Sequence, residues 1–254
     1  MATKNNFIYL DNAATTLPHP EVISTYQKTN ELYFANSSSI HSLGQKTAHL
    51  LEMARKQILE IFHVEDDELI FTSGATESIN LAIKGYCLAN VSRGKHIITS
   101  NIEHPAVLES VKQLEQYFGF KVTYLKVNEQ GIININDLEN AIQKDTILVS
   151  LMAVNNEIGA INPIYEISQI IRKYPKIVFH MDATQAVGKI NINYQDVDMF
   201  SYSAHKIHGL KNSGALIKKK NIKLLPINSG GGHESGYRSG TVDVASSAAL
   251  AKAT

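Results

Sequence analysis

Residues 68–90 read ELIFTSGATESINLAIKGYCLAN. "ELIFTS" (Glu68–Ser73) is short, apolar and aromatic, so it reads as a strand. Gly74 makes a turn. "ATESINLAIKGYCLAN" then carries apolar residues at helical spacing. The same alternation continues outward. "HIITS" (His96–Ser100), "KVTYLKV" (Lys121–Val127), "TILVSLMAV" (Thr146–Val154), "KIVFHMD" (Lys176–Asp182), "VDMFSYS" (Val197–Ser203) and "GALIKK" (Gly214–Lys219) read as further strands. "PAVLESVKQLEQYF", "INDLENAIQKD" and "PIYEISQIIRKY" read as helices between them, with Pro105 and Pro163 where a first helical turn tolerates proline. An earlier helix, about Leu43–Phe62, places Leu50, Leu51, Ala54, Ile58 and Ile61 on one stripe. "TVDVASSAALAKAT" begins another. Near-continuous apolar strands alternating with helices predict an α/β fold. Its sheet is mostly parallel, with helices on both faces.

Bulk properties narrow the function. The chain has 254 residues, 44% of them hydrophobic, and Lys+Arg and Asp+Glu are both 24. Zero formal net charge argues against a nucleic-acid binder. One cysteine, Cys87, excludes an internal disulfide framework and a Cys-rich zinc module. The N-terminus has no signal-peptide core, and no apolar run approaches membrane-spanning length. A cytoplasmic protein without membrane contact is expected.

In open parallel sheets, ligands bind at the carboxyl ends of strands. Gly74, Ala75 and Thr76 form a candidate phosphate cradle, because a glycine turn entering a helix exposes N–H groups. An ordinary turn with Thr76 near the N-cap is the competing reading. His104 ends the second strand and can stack on a planar ligand or simply bond within a loop. Asn155, Asn156 and Glu157 end the fourth strand, where asparagines also make turns. Asp182 ends the fifth, at the edge of a buried region, and needs a cationic or hydrogen-bonding partner. Gln185 can reach the same ligand. Ser203 and His205 can donate to an anion. Lys206 beside them is either a solvated charge or a nucleophile with a lowered pKa. His205, His208 and His233 do not complete a recognisable metal spacing. Taken together, the strand ends supply what pyridoxal 5'-phosphate (PLP) needs. These are donors for a phosphate, a flat partner for the ring, a carboxylate for the ring nitrogen and an amine for the aldehyde.

The blocks "YLDNAATT", "FTSGATESINLAIKG", "HIITSNIEHPAVL", "VNNEIGAINPI", "HMDATQAVGK", "SAHKIHG" and "GGGHESGYRSGT" resemble the cysteine desulfurases, aminotransferase class V proteins among the fold-type I PLP enzymes. The resemblance runs from about Tyr9 onward. It implies a PLP-binding large domain over residues 1–254, with an N-terminal segment over about 1–40. Lys206 is implied as the aldimine lysine, His104 as stacking and proton-transfer group, and Asp182 as partner of the ring nitrogen. Gln185 and Asn156 would address the phenolic-oxygen side. Ala75, Thr76, Ser203 and His205 would hold the phosphate. Thr241 would reach a neighbouring subunit's phosphate, implying a homodimer, and Asn36 matches a substrate-lining region. The implied reaction takes sulfur from L-cysteine, leaving L-alanine and a protein persulfide for a sulfur-acceptor or scaffold protein, as in iron–sulfur cluster supply. The family's smaller C-terminal domain, with its sulfur-carrying cysteine, has no counterpart in these residues, and Cys87 reads as a small hydrophobe. A chain of this extent is expected to expose apolar surface and to desulfurate poorly. Selenocysteine lyases share these blocks, and a non-catalytic PLP-binding or scaffold remnant is the alternative outside enzymology. Leu210, Asn212 and His208 depart from the family's usual residues.

Overall fold

The unit at residues 68–90 folds as strand, turn and helix in the computed structural model, which describes residues 8–254. Met1–Phe7, where part of the targeting-segment reading falls, lie outside the described residues. The strands are β1 (Glu68–Thr72), β2 (His96–Ser100), β3 (Lys121–Leu125), β4 (Thr146–Met152), β5 (Val178–Asp182), β6 (Met199–Ser203) and β7 (Gly214–Lys218). The α-helices are α1 (Pro20–Leu32), α2 (Ser42–Ile61), α3 (Ala75–Asn80), α4 (Tyr86–Ala89), α5 (Pro105–Phe118), α6 (Ile135–Ala141), α7 (Ile164–Ile171) and α8 (Val244–Ala253). Every predicted strand is present; His96–Ser100 is unchanged and the others are trimmed by one or two residues. The trimmed Val127 makes only an isolated bridge to Ile133.

Among the described residues these strands form a 7-stranded sheet in the order β1-β7-β6-β5-β4-β2-β3. From β3 to β6 neighbouring strands are parallel. β7 runs antiparallel to both β6 and β1. β1 therefore points the same way as β6, and the carboxyl ends of β1, β2, β4, β5 and β6 share one edge. β7 starts at that edge, where Gly214 opposes both Thr72 and Ser203.

Each sheet face buries one helical layer, as strands without alternation require. On one face Phe71, Val149, Phe179, Met181 and Phe200 pack with Leu51, Ile58, Leu138, Ile167 and Leu250. On the other, Ile70, Ile97, Leu148, Val178 and Leu216 pack with Ile79, Tyr86, Val107 and Leu114. Cys87 lies in this second layer and is fully buried. Burial pushes its thiol far above the ordinary cysteine value. A buried neutral thiol is not a nucleophile.

The inward stripe of α2 runs through Leu51, Ala54, Ile58 and Leu59, with half-buried Leu50 packed against the same core, and Ile61 lies off it, 43% exposed. The predicted stripe is correct except at that last position. No helix was predicted over α1. It buries only Val22 and Thr29, too thin a stripe to read as periodicity. Pro163 caps α7 from just outside, whereas Pro105 is the first residue of α5. Exposed apolar residues include Ile8, Leu10, Leu17, Phe34 and Ile40. No helix among the described residues is long and apolar enough to cross a membrane.

Candidate active site

The shared strand edge opens into a cavity of about 630 Å³. Its wall takes Gly74, Ala75 and Thr76 from the β1–α3 turn, His104 from the start of α5, Asn156 after β4, and Asp182, Thr184 and Gln185 from the end of β5. Ser203, His205 and Lys206 follow from β6, with Ala14 and Thr15 from the N-terminal segment. Nine of the sequence-derived site residues thus meet in one place. Two do not. Thr241 and Asn36 are exposed and do not line the cavity. The Oδ1 of Asn36 accepts from Ser38 N at 2.9 Å, a local turn contact.

The cradle is tight because of two glycines. A Cβ on Gly214 would meet Gly74 Cα at 2.6 Å, and Gly74 has φ +145°, which L side chains rarely adopt. Main chain can therefore lie on main chain, which brings the start of α3 over Ser203. Glu77, in the first turn of α3, closes the arrangement. Its Oε2 accepts from Ser73 N at 2.6 Å and its Oε1 from Arg238 Nε at 2.9 Å. Burial pushes this carboxyl up, but the Arg238 and Ser73 hydrogen bonds prevail and hold it below the usual range.

Asp182 is 5% exposed. Its Oδ1 accepts from Thr184 N at 2.9 Å and Thr184 Oγ1 at 2.5 Å. Burial raises its pKa, opposed by the two Thr184 bonds and by His104 and Lys206. On the same face one strand repeat earlier, His180 is fully buried between Ser150 Oγ and Ser201 Oγ, both at 2.9 Å. Desolvation pushes its pKa down to about 3, so it is neutral. Glu103, also buried, accepts from Ser100 Oγ at 2.6 Å on Oε1.

His104 caps α5, with Nδ1 accepting from Ala106 N at 3.1 Å. The neutral ring therefore carries its hydrogen on Nε2. Lys206 Nζ donates to Ala13 O and Ala14 O at 2.5 and 2.8 Å. Burial lowers its pKa below the ordinary lysine value, against Asp11, Asp182 and Glu157. His205 Nδ1 lies 3.1 Å from Thr15 Oγ1. Desolvation, then Lys206, Lys211 and Lys189, lowers its pKa. Gln185 bridges Ala13 O at 2.9 Å and Lys189 Nζ at 2.6 Å. The exposed His208 bonds Leu17 O at 3.0 Å through Nδ1. Among the described residues no group of three or more metal-ligating side chains gathers.

Sequence reasoning missed Thr184, Glu103 and Glu77. The first two lie inside "HMDATQAVGK" and "HIITSNIEHPAVL" but carry no spacing signal of their own. Glu77 looked like an ordinary acidic residue in a first helical turn.

The donor set suits PLP. Asp182 is nearly buried in the cavity wall, and among the described residues its Oδ2 has no hydrogen-bond partner, which suits a ring-nitrogen partner. The Gly74–Gly214 contact, which a Cβ on Gly214 would block, sets the β1–α3 turn beside Ser203. Ser203 and His205 flank it with polar hydrogens, beside a lysine of lowered pKa.

A lysine and a nearly buried carboxylate share a cavity at the carboxyl edge of a mixed, mainly parallel sheet, an arrangement that suits the aminotransferase class of α/β proteins. The chain belongs to the aminotransferase class-V family, whose pattern matches residues 8–254. It is 49% identical over 249 residues to a NifS/IcsS protein homolog of Lactobacillus delbrueckii subsp. bulgaricus, covering 97% of this chain and 64% of the relative. It is 47% identical to cysteine desulfurase IscS of Dictyoglomus turgidum, covering 97% and 62%. Among solved structures, a NifS-like protein superposes with TM-score 0.92 at 38% identity, covering 97% of this chain and 68% of that one. SspA in complex with cysteine superposes with TM-score 0.92 at 37% identity, covering 97% and 72%. The chain spans under two thirds of the length of these two curated relatives.

Proposed function

We propose that this chain is the cofactor-binding part of a PLP-dependent cysteine desulfurase that acts on L-cysteine and works as a cytoplasmic homodimer. The observation that carries the reading is the meeting of Lys206, His104 and the free oxygen of Asp182 in one cavity. When bound, PLP supplies an electron sink for bonds at the substrate's α-carbon.

The protein's residues then have separate tasks. Lys206 Nζ would hold the cofactor through its aldehyde, and its amine would carry protons to and from the substrate. Its lowered pKa leaves more of the amine neutral than in a solvated lysine. His104 lines the cavity, and its Nε2, the nitrogen not used in capping α5, would serve as a second proton carrier. Asp182 Oδ2 pairs with the ring nitrogen. Ala75, Thr76, Ser203 and His205 hold the phosphate through N–H and side-chain donors. Asn156 and Gln185 address the ring's oxygen side. Thr241, exposed and outside the cavity, suits the role of reaching a second copy's phosphate. Asn36, exposed near the N-terminal segment, is assigned to the substrate side. Sulfur transfer to an acceptor protein, for iron–sulfur clusters or thio-cofactors, belongs to the whole protein.

The test is spectroscopic. Purified protein mixed with PLP should develop the visible band of lysine-bound PLP. Borohydride reduction and peptide mapping should then place the pyridoxyl group on Lys206. Lys206→Ala should lose both signals. A wild-type chain without the band, or a label on another lysine, sinks the reading.

A further inference from the structure

Resting on the PLP reading above, we propose that Thr184 is a positioning residue for Asp182. Its hydroxyl and main-chain N–H together hold Oδ1, leaving Oδ2 as the oxygen presented to a cationic ring nitrogen. The arrangement begins with the strand end. Asp182 is the last residue of β5, and the chain then turns through Ala183, with Ala186 N bonding Ala183 O at 2.9 Å. Oδ1 accepts the N–H of the residue two further on, which fixes the carboxylate as part of the turn. Any residue at position 184 keeps that bond. The second bond, Thr184 Oγ1 to Oδ1 at 2.5 Å, depends on a hydroxyl. Hydrogen bonds to an ionised oxygen are short and about twice as strong as neutral ones.

The second observation is the other oxygen. Asp182 is only 5% exposed and lines the cavity, yet Oδ2 has no hydrogen-bond partner among the described residues. A nearly buried carboxylate with one oxygen doubly bonded and the other unpaired is oriented for a ligand that brings its own donor. The charged or titratable neighbours do not substitute for Thr184. His104 and Lys206 act on Asp182 through space. Glu103 is a carboxyl whose burial favours the neutral form, and His180 is neutral and bonded to two serines. Without the hydroxyl, burial would favour a protonated Asp182, and a protonated carboxyl cannot pair with a pyridinium.

The experiment compares wild type, Thr184→Val, Thr184→Ser, Asp182→Asn and the double variant Asp182→Asn/Thr184→Val. Valine keeps the β-branched shape and removes only the donor. Apo-protein melting curves establish that each variant folds. PLP affinity and the spectrum of bound PLP are the readouts, neither of which requires turnover. Thr184→Val should bind PLP roughly tenfold more weakly, with the bound spectrum shifted toward that of the unprotonated ring. Thr184→Ser should restore affinity to within about twofold of wild type. In the Asp182→Asn background, Thr184→Val should cost little more, because the hydroxyl acts through the carboxylate. Equal affinity and spectrum for wild type and Thr184→Val would overturn the proposal while leaving the PLP reading intact. So would a full Thr184→Val loss that persists in the Asp182→Asn background. A wild-type chain that shows no lysine-bound band overturns both.

Discussion

Glu103 shows how one buried residue makes the site pH-dependent. It is 4% exposed, and its Oε2 has no partner among the described residues. Burial pushes its pKa up to about 8 from an ordinary 4.5, with Asp182 adding to the rise and the Ser100 hydroxyl and the Met152 main chain opposing it. The unfolded chain ionises this carboxyl near its ordinary value, whereas the fold keeps it neutral until about pH 8. The folded state therefore binds the extra proton, and stability falls as pH rises through that window. Glu103→Gln mimics the neutral form. Thermal melts should show the variant gaining on wild type steadily from pH 5 to 8, with little difference at the acid end. A pH-independent difference would mean that Glu103 is charged in the fold. Legibility at this scale follows chemistry. Lys206, Asp182 and His104 could be found because their side chains are unusual at strand ends. Thr184 and Glu103 could not, because a threonine in a turn and a glutamate in a loop are ordinary until their partners are known.

At the scale of elements, polar anchors hold the loop after β7. Between α3 and α4, Leu81–Gly85 forms a π-helical turn, and Gly85 O accepts from Leu225 N at 2.9 Å. A Cβ on Gly85 would meet Leu225 O at 2.8 Å, so the close approach needs glycine. Sequence periodicity read 75–90 as one helix, since a π-turn adds a residue without breaking the apolar pattern. Further along, Glu234 is buried, and both its oxygens meet Arg55 of α2 at 3.0 Å. Glu234 Oε2 also accepts from Phe71 N at 2.8 Å, tying the loop to β1. The adjacent Glu234 and Ser235 have φ of 49° and 55°, a left-handed backbone that these bonds must hold. Removing one member of a buried pair leaves the other charge uncompensated. Arg55→Ala should thus lose about 3–5 kcal/mol of stability in denaturant unfolding. A loss of under about 1 kcal/mol would place the pair in the class of exposed bridges. Such long-range pairs, 179 residues apart here, leave no trace in local sequence.

Over the whole molecule, alternating strands and helices made the α/β class legible, but not the direction of β7. Its run GALIK is as apolar as its parallel neighbours, and reversal is set by the short connection from β6, which pattern does not encode. That reversal matters, because it puts Gly214 at the cavity edge opposite Ser203 and Thr72. The cavity consequently draws on β1, β4, β5 and β6 and on the N-terminal segment. Thr16 N and Oγ1 both bond His205 O, at 2.8 and 2.9 Å, so that segment is laced to the residue before Lys206. A ligand held at once by these elements binds the folded chain and not the unfolded one. Linkage then predicts a gain of about 2.7 kcal/mol with free PLP at a hundred times its Kd. For a chain of this size that corresponds to a Tm increase of roughly 5–11 °C. Lys206→Ala, which retains only the non-covalent contacts, should gain much less at the same PLP concentration. A wild-type chain that develops the visible band without any rise in Tm would show that PLP reacts with lysines exposed in both states, and not with the cavity that joins these strands.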